Sequence, residues 1–295
     1  MFGNQLVKAD LGIALRSTIF PPNLILRISP RLDSSFSTVW FPSVEPVFDS
    51  LEMCALSLGA TDRLKAGTGV IRLHEYDPAD LGRRAQTLSQ GSQNRFILGV
   101  GTGGLRGPGA VDQLVGLTKK LRSDHLKTQS IPVYFAALGP RMVRAGFENA
   151  EGVILNFCSP RYVSSVTSRA GRKKDDFRVT CYIKLFFAED DGEARKMLAD
   201  EFTHYHAIPQ YHQMFEAMGL SRTLQVFRDR REIAARDITE SISEISIPNP
   251  THEQVLELLE SFREAGVDSP IVYPYVAGAD DFKLRVVEKL RDWSK

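Results

Sequence analysis

The segment Gly99-Val100-Gly101-Thr102-Gly103-Gly104 follows directly on the apolar run Arg95-Phe96-Ile97-Leu98. Glycines at the end of a strand let a ligand approach the backbone, and free N–H groups there attract phosphate. The spacing matches GxGxxG, the dinucleotide fingerprint, which requires a helix to begin at once so that its first amides meet a pyrophosphate. The continuation Leu105-Arg106-Gly107-Pro108-Gly109 cannot be a first helical turn. Nor does a further strand end in an acidic residue about 20 positions on, so a Rossmann site is not expected. Two other strand ends share the character: Ala66-Gly67-Thr68-Gly69-Val70, and Ala136-Ala137-Leu138-Gly139-Pro140 at a helix start. Any one of them could be no more than a tight turn. Together they point to a flat, phosphorylated ligand.

Other reactive side chains are sparser. In His204-Tyr205-His206, with His212 beyond Pro209, histidines two apart lie on different helix faces, and no acidic residue completes a ligand set. The expectation is no metal, and an aromatic, polar lining that faces a substrate. His74 and Glu75 follow the third strand and could exchange protons, although solvated loop residues are the simpler reading. No GxSxG, HExxH or GxxxxGK[ST] sequence occurs. The run Arg169 to Asp176 mixes signs and reads as a solvated connection.

The elements that must position these residues are legible as apolar runs. Strands are expected at Leu11–Leu15, Thr38–Phe41, Leu64–Val70, Arg95–Gly101, Pro132–Leu138, Gly152–Phe157, Val179–Ala188 and Pro270–Val276. Asp77-Pro78 gives an N-cap with Pro at N1 for a helix to about Gln90, and Gly139-Pro140 and Ser159-Pro160 open two more. Thr251-His252-Glu253-Gln254 is a capping box whose helix stops at Ala265-Gly266, and Asp280 opens the last helix. Pro21-Pro22 and Pro30 interrupt the first helix. Eight strands alternating with helices predict an α/β fold, a (β/α)8 TIM barrel spanning residues 1–295 as one domain. The long interval before Pro270 predicts a helical insertion between strands 7 and 8, residues 189–247, with helices at Gly192–Ala207 and Gln210–Arg230.

Composition excludes other classes. Of 295 residues, 43% are apolar and 25% charged, as in an ordinary globular chain. A net charge of +1 gives no field for nucleic acid or an anionic membrane. The longest apolar candidate, around Val179–Ala188, is broken by Lys184 and falls short of a membrane span. Met1-Phe2-Gly3-Asn4 lacks the order of a signal peptide. Cys54, Cys158 and Cys181 are odd in number and form no CxxC pair, which favours a reducing, cytoplasmic setting.

At these residues the chain resembles the luciferase-like monooxygenase superfamily of flavin- and deazaflavin-dependent (β/α)8 enzymes. The resemblance runs through Leu51-Glu52 to Val70, Arg95 to Gly103, and Ile131 to Asn156, with Glu264-Ala265-Gly266-Val267-Asp268 before the last strand. Within the superfamily it is most similar to the deazaflavin (coenzyme F-420) branch, such as methylene-tetrahydromethanopterin reductase. That resemblance implies a cis peptide at Gly69-Val70 backing the ring, with Arg72 and Leu73 beside the cofactor. It implies Thr102 and Gly103 against the ring or its ribityl chain. Leu138, Gly139, Arg141 and Met142 would cradle a phosphate, with Asn156 facing the cofactor. The branch's Asp-His pair after strand two falls on Ser43-Val44, which puts Ser43 on the cofactor side and leaves no histidine. The carboxylate that dehydrogenase members place after the strand-four glycines falls on Gly104, and the stretch between strands four and five is short. Sugar-phosphate dehydrogenation is therefore not expected, and the catalytic acid or base is unassigned.

The resemblance implies an F-420-dependent oxidoreductase acting on a small organic molecule. The alternatives are an FMN-dependent monooxygenase, and a barrel that binds a flavin or deazaflavin without catalysis. A homodimer is expected from the family's habit of pairing through early helices, although the apolar side of Leu51–Leu58 could equally be core.

Overall fold

The computed structural model describes residues 10–43, 48–105, 107, 109–126, 130–171, 174–221, 223–225 and 235–294. Eight strands are formed: β1 Gly12–Ala14, β2 Thr38–Phe41, β3 Lys65–Thr68, β4 Phe96–Gly101, β5 Val133–Ala136, β6 Gly152–Asn156, β7 Arg178–Phe187 and β8 Ser269–Val276. Each is parallel to its sequence neighbour, and β8 pairs with both β7 and β1, which closes the sheet into a barrel. Both faces of these strands are covered, which is why they read as continuous apolar runs rather than as alternations. Two short additions were not expected. Ile71–Arg72 pairs with the end of β4, and Ile247–Pro248 pairs with β7.

The helices obey their caps. They are α1 Pro22–Leu32, α2 Ser50–Gly59, α3 Pro78–Gly91, α4 Ala110–His125, α5 Pro140–Asn149 and α6 Pro160–Ala170. Beyond β7 come α7 Asp191–His206, α8 Pro209–Ala217, α9 Ala235–Ser241 and α10 His252–Glu264, and α11 Asp280–Trp293 follows β8. The carboxylates of Asp49, Asp77 and Asp190 and the hydroxyl of Ser159 accept the first free amides of α2, α3, α7 and α6. Thr251 and Gln254 complete the reciprocal capping box of α10.

Two expectations need correction. Pro22 does not interrupt α1 but starts it at N1, where its missing N–H is no loss, and Pro30 lies only in the last turn. The second insertion helix, expected to run unbroken to Arg230, is interrupted after Ala217 by a turn, and residues 221 and 223–225 are helical again. Gly219, at φ +86°, turns the chain left-handed, and the Leu220 N–H reaches back to the Phe215 carbonyl at 3.0 Å, a Schellman stop. Residues 222 and 226–230 of that expected helix, and Val44, lie outside the described residues.

Side chains within and around the barrel form one apolar core. In α2, Leu51, Met53, Cys54 and Leu58 are buried in it, so its apolar side is core. Cys158 and Cys181 are buried free thiols with sulfurs 3.8 Å apart. At the N-terminal end of the barrel Arg95 donates to the Leu58, Leu64 and Ser92 carbonyls. The Asp33 carboxylate accepts from the Arg63 and Leu64 amides, which outweighs its partial desolvation and holds its pKa below the ordinary value. Contacts at that end serve stability; the chemistry-bearing loops of such a barrel gather at the other. Among the described residues no helix is long and apolar enough to cross a membrane.

Candidate functional site

A cavity of about 780 Å³ opens at the C-terminal ends of the strands. One arc of its rim is formed by the ends of β2 to β5. There Ser43 donates to the Ser50 hydroxyl at 2.9 Å, which ties the β2 end to the start of α2. Thr68 staples β3 to β4, donating to the Gly99 carbonyl at 2.8 Å and accepting from its amide at 2.9 Å. Beyond Thr68 the chain bulges through a cis Gly69-Val70 peptide, at the position the resemblance implies.

Glycine is required around this bulge by close approach. A Cβ at Gly69 would stand 1.8 Å from the Tyr182 hydroxyl, and one at Gly101 would stand 2.7 Å from a Val70 methyl. Gly103 has φ +56° and lies under the Arg72 side chain, where a Cβ would meet Cγ and Cδ below 3.0 Å. Gly139 differs: nothing lies within 4 Å of a Cβ built there, so its lack of a side chain leaves room on the cavity wall. It is also the N-cap of α5 and offers no side-chain cap, so that helix presents its N-terminus uncovered. Arg141, in the first turn, is 57% exposed and pairs with Asp112 at 3.0 Å. The Tyr162 hydroxyl fixes the approach to this helix by donating to the Leu138 carbonyl at 2.8 Å, and burial pushes its pKa up to about 12.

The opposite arc comes from β6, β7, β8 and the insertion. Asn156, ending β6, donates through Nδ2 to the Tyr211 hydroxyl at 2.8 Å, while its Oδ1 is buried without a partner. Tyr182 from β7 reaches across to the Gly69 carbonyl at 3.3 Å, and its ring lies 5.3 Å from that of Tyr273 on β8. The Tyr205 and Tyr211 rings meet edge to face, centroids 4.4 Å apart. Burial pushes the Tyr182, Tyr211 and Tyr273 pKa values upward, so these hydroxyls stay protonated at neutral pH.

Beneath this wall lies a buried charge. Strand register sets Lys184 beside Tyr273, and the Lys184 side chain is 0% exposed. Its Nζ donates to Glu201 Oε1 at 2.5 Å and to the Tyr275 hydroxyl at 3.1 Å, and sits 3.8 Å from the centre of the Tyr205 ring. The Tyr275 hydroxyl donates to the same Glu201 oxygen at 2.5 Å. Burial would raise the Glu201 pKa, but the attraction and hydrogen bonds of Lys184 and Tyr275 outweigh it and hold the carboxyl below its ordinary value. The network ties α7 to the barrel under two cavity-lining tyrosines.

Of the residues expected at a cofactor, Ser43, Gly69, Val70, Arg72, Thr102, Gly103, Leu138, Gly139, Arg141, Met142 and Asn156 all line the cavity. Leu73 does not. It is 4% exposed, packed in the core at the start of a 3-10 turn that sends consecutive side chains in different directions. His74 and Glu75 continue that turn away from the cavity, with Glu75 3.3 Å from Arg72. His204 lines the cavity, whereas His206 packs against His212, itself 3.4 Å from Glu216. Tyr182, Tyr211, Tyr273 and Gln213 were not anticipated. The available signal was alternation: in a strand with both faces buried, Tyr182 and Lys184 share the inward face.

The family model described as "Luciferase-like monooxygenase" matches residues 33–108 and 109–269. A 5,10-methylenetetrahydromethanopterin reductase of Archaeoglobus fulgidus is 24% identical over 283 residues, covering 80% of this chain and 84% of that protein. The fold is shared with an F-420-dependent secondary alcohol dehydrogenase, with TM-score 0.70 at 16% identity over 97% of this chain and 100% of that one. It is shared too with the FMN-bound oxygenating constituent of a diketocamphane monooxygenase from Pseudomonas putida. There the TM-score is 0.63 at 14% identity, over 98% of this chain and 97% of that one.

Proposed function

The chain belongs to the luciferase-like monooxygenase family, and from that premise we propose that it is an oxidoreductase using coenzyme F-420. In this reading it moves hydride between the deazaflavin and a small organic substrate. The observation that carries the reading is the cradle. The glycine-bearing ends of β3, β4 and β5, the uncovered N-terminus of α5 and the Arg141 guanidinium meet on one arc of a cavity large enough for a flavin-sized group. The curated relative from Archaeoglobus supports the deazaflavin branch.

The residues present fit the group. Gly139 leaves open space at the helix N-terminus, where a phosphate is stabilised by backbone amides and the helix dipole, and Arg141 adds a cation that can bind bidentately. Val70, Thr102 and Gly103 line the same cavity and offer small or apolar contacts to a ring. When bound, the coenzyme supplies the hydride chemistry, and the protein supplies orientation and electrostatics. Ser43 is engaged with Ser50, so it cannot stand in for the acid–base pair found at this position in the branch. The segment 189–247 serves as the substrate-side insertion of a single barrel domain, and the assembly is a homodimer.

Anaerobic mixing of reduced F-420 and the protein with a panel of imines, ketones and pterins tests the reading. Return of the oxidised coenzyme's absorbance with any member supports it. Oxygen consumption with FMN and a flavin reductase, without F-420 turnover, replaces it with the monooxygenase alternative. Binding of either coenzyme without turnover across the panel leaves a carrier.

A further inference from the structure

The two arcs of the cavity, a glycine arc from β3, β4 and β5 and a tyrosine arc opposite, are bridged by a side chain. Tyr182 stands on β7 in the tyrosine arc, only 5% exposed, with its ring tilted against that of Tyr273 at 5.3 Å. Its hydroxyl reaches the glycine arc and donates to the Gly69 carbonyl at 3.3 Å, across 113 positions of chain. Burial raises the phenol pKa, so the donor keeps its proton at neutral pH.

That carbonyl sits where the chain leaves the sheet. Upstream, Thr68 is bonded twice to Gly99, and the Gly69 amide donates to the Phe41 carbonyl at 2.9 Å. Downstream, pairing resumes with Ile71 opposite Val100 and Arg72 opposite Gly101. Between these anchors, no turn or loop amide among the described residues donates to the Gly69 carbonyl. A backbone carbonyl outside the ladder must find its partner elsewhere, and here the partner is a phenol from the far side of the barrel. What the phenol holds is a piece of cavity wall. Val70 lines the cavity and presses on β4: a Cβ on Gly99 would stand 3.2 Å from one of its methyls, and a Cβ on Gly101 2.7 Å from the other. Because a peptide unit is a rigid plane, fixing the Gly69 carbonyl fixes the Val70 amide joined to it. Val70 is thus set by β4 on one side and by Tyr182 on the other.

We propose that Tyr182 is a positioning residue for the coenzyme: through the Gly69 carbonyl, its hydroxyl sets how far Val70 stands into the cavity. This rests on the reading of the glycine arc as the coenzyme's seat. It deepens that reading by making the shape of the seat depend on a side chain from the opposite arc.

The test is a double-mutant cycle of Tyr182→Phe and Val70→Ala, read by fluorescence titration with F-420 and by melting. At 3.3 Å the hydrogen bond is long, which puts the expected effect low: Tyr182→Phe should weaken F-420 about two- to fivefold. Its melting temperature should stay within about 2 °C of the native protein's. Because the hydroxyl acts through Val70, Tyr182→Phe should weaken F-420 no further in a chain that already carries Val70→Ala. The same two- to fivefold loss on top of Val70→Ala would mean that the hydroxyl touches the coenzyme itself; the proposal would fall and the coenzyme reading would stand. Unchanged F-420 affinity in Tyr182→Phe, with or without a lower melting temperature, would leave Tyr182 a purely structural residue and overturn the proposal too. If F-420 does not bind the native protein, the F-420 reading fails, and the same cycle titrated with FMN decides for or against Tyr182. Binding of neither coenzyme overturns both.

Discussion

Replacing Lys184 with Met keeps an unbranched apolar stem and removes the ammonium. In the native protein that ammonium is 0% exposed and bridges Glu201 at 2.5 Å and Tyr275 at 3.1 Å. The variant leaves Glu201, whose side chain is 11% exposed, with the Tyr275 hydroxyl but without its cation. Breaking a buried pair from one side costs about 3–5 kcal/mol. With an unfolding entropy of about 2.1 cal/mol/K per residue, a chain of 295 residues should melt about 5–8 °C lower. The pH dependence gives the effect a signature. In the native protein the Glu201 pKa is depressed, so its contribution is present above the unfolded carboxylate value of about 4.3 and is lost as pH falls through the folded value. In the variant burial dominates and the folded pKa lies above the unfolded one, so the penalty is full at neutral pH and vanishes below about pH 4. Scanning calorimetry from pH 4 to 8 should therefore show a gap between the two proteins that narrows on acidification. Adding Glu201→Leu to the variant should recover much of the loss. A variant melting within 1–2 °C of the native protein, or a gap independent of pH, would refute the assignment of Lys184 and Glu201 as a charged, buried pair.

Gly69→Ala should lower F-420 affinity more than tenfold and destabilise the fold, because its Cβ would stand 1.8 Å from the Tyr182 hydroxyl on a ring that cannot swing away; Tyr182→Phe in the same chain should restore part of both, read by fluorescence titration and melting. Gly139→Ala should leave the melting temperature within 1 °C, since its backbone is extended and nothing lies within 4 Å of the new methyl, yet weaken F-420 by filling the phosphate's space. Arg141→Gln should weaken F-420 by about 10- to 150-fold through loss of a charge-assisted contact, while stability holds, because its pair with Asp112 is exposed.

The barrel was legible in the sequence because parallel strands buried on both faces leave uninterrupted apolar runs, and because helix caps are local chemistry. Asp77, Ser159 and Thr251 cap where their residue types say they should. The glycine arc was legible too, since a strand-end glycine advertises close approach whatever surrounds it. The tyrosine arc was not. Tyr182 and Tyr273 sit inside strands, where an aromatic reads as core, and only the closed register of β7 on β8 sets Lys184 next to Tyr273. Lys184 itself was a missed signal: a lysine interrupting a strand buried on both faces must find a carboxylate, and it finds one on α7. Leu73 shows the reverse error. Adjacency to Arg72 suggested a shared environment, but the turn that aims Arg72 across Gly103 buries Leu73 in the core.

The central claim is that the glycine arc seats a deazaflavin coenzyme. Parallel titrations of the purified protein with F-420 and FMN, followed by quenching of each coenzyme's fluorescence, test it most directly. The account predicts saturable quenching of F-420 at stoichiometric protein, weakened by Gly139→Ala and by Arg141→Gln, and much weaker binding of FMN. Tight FMN with no response to F-420, or F-420 binding indifferent to both substitutions, would contradict it.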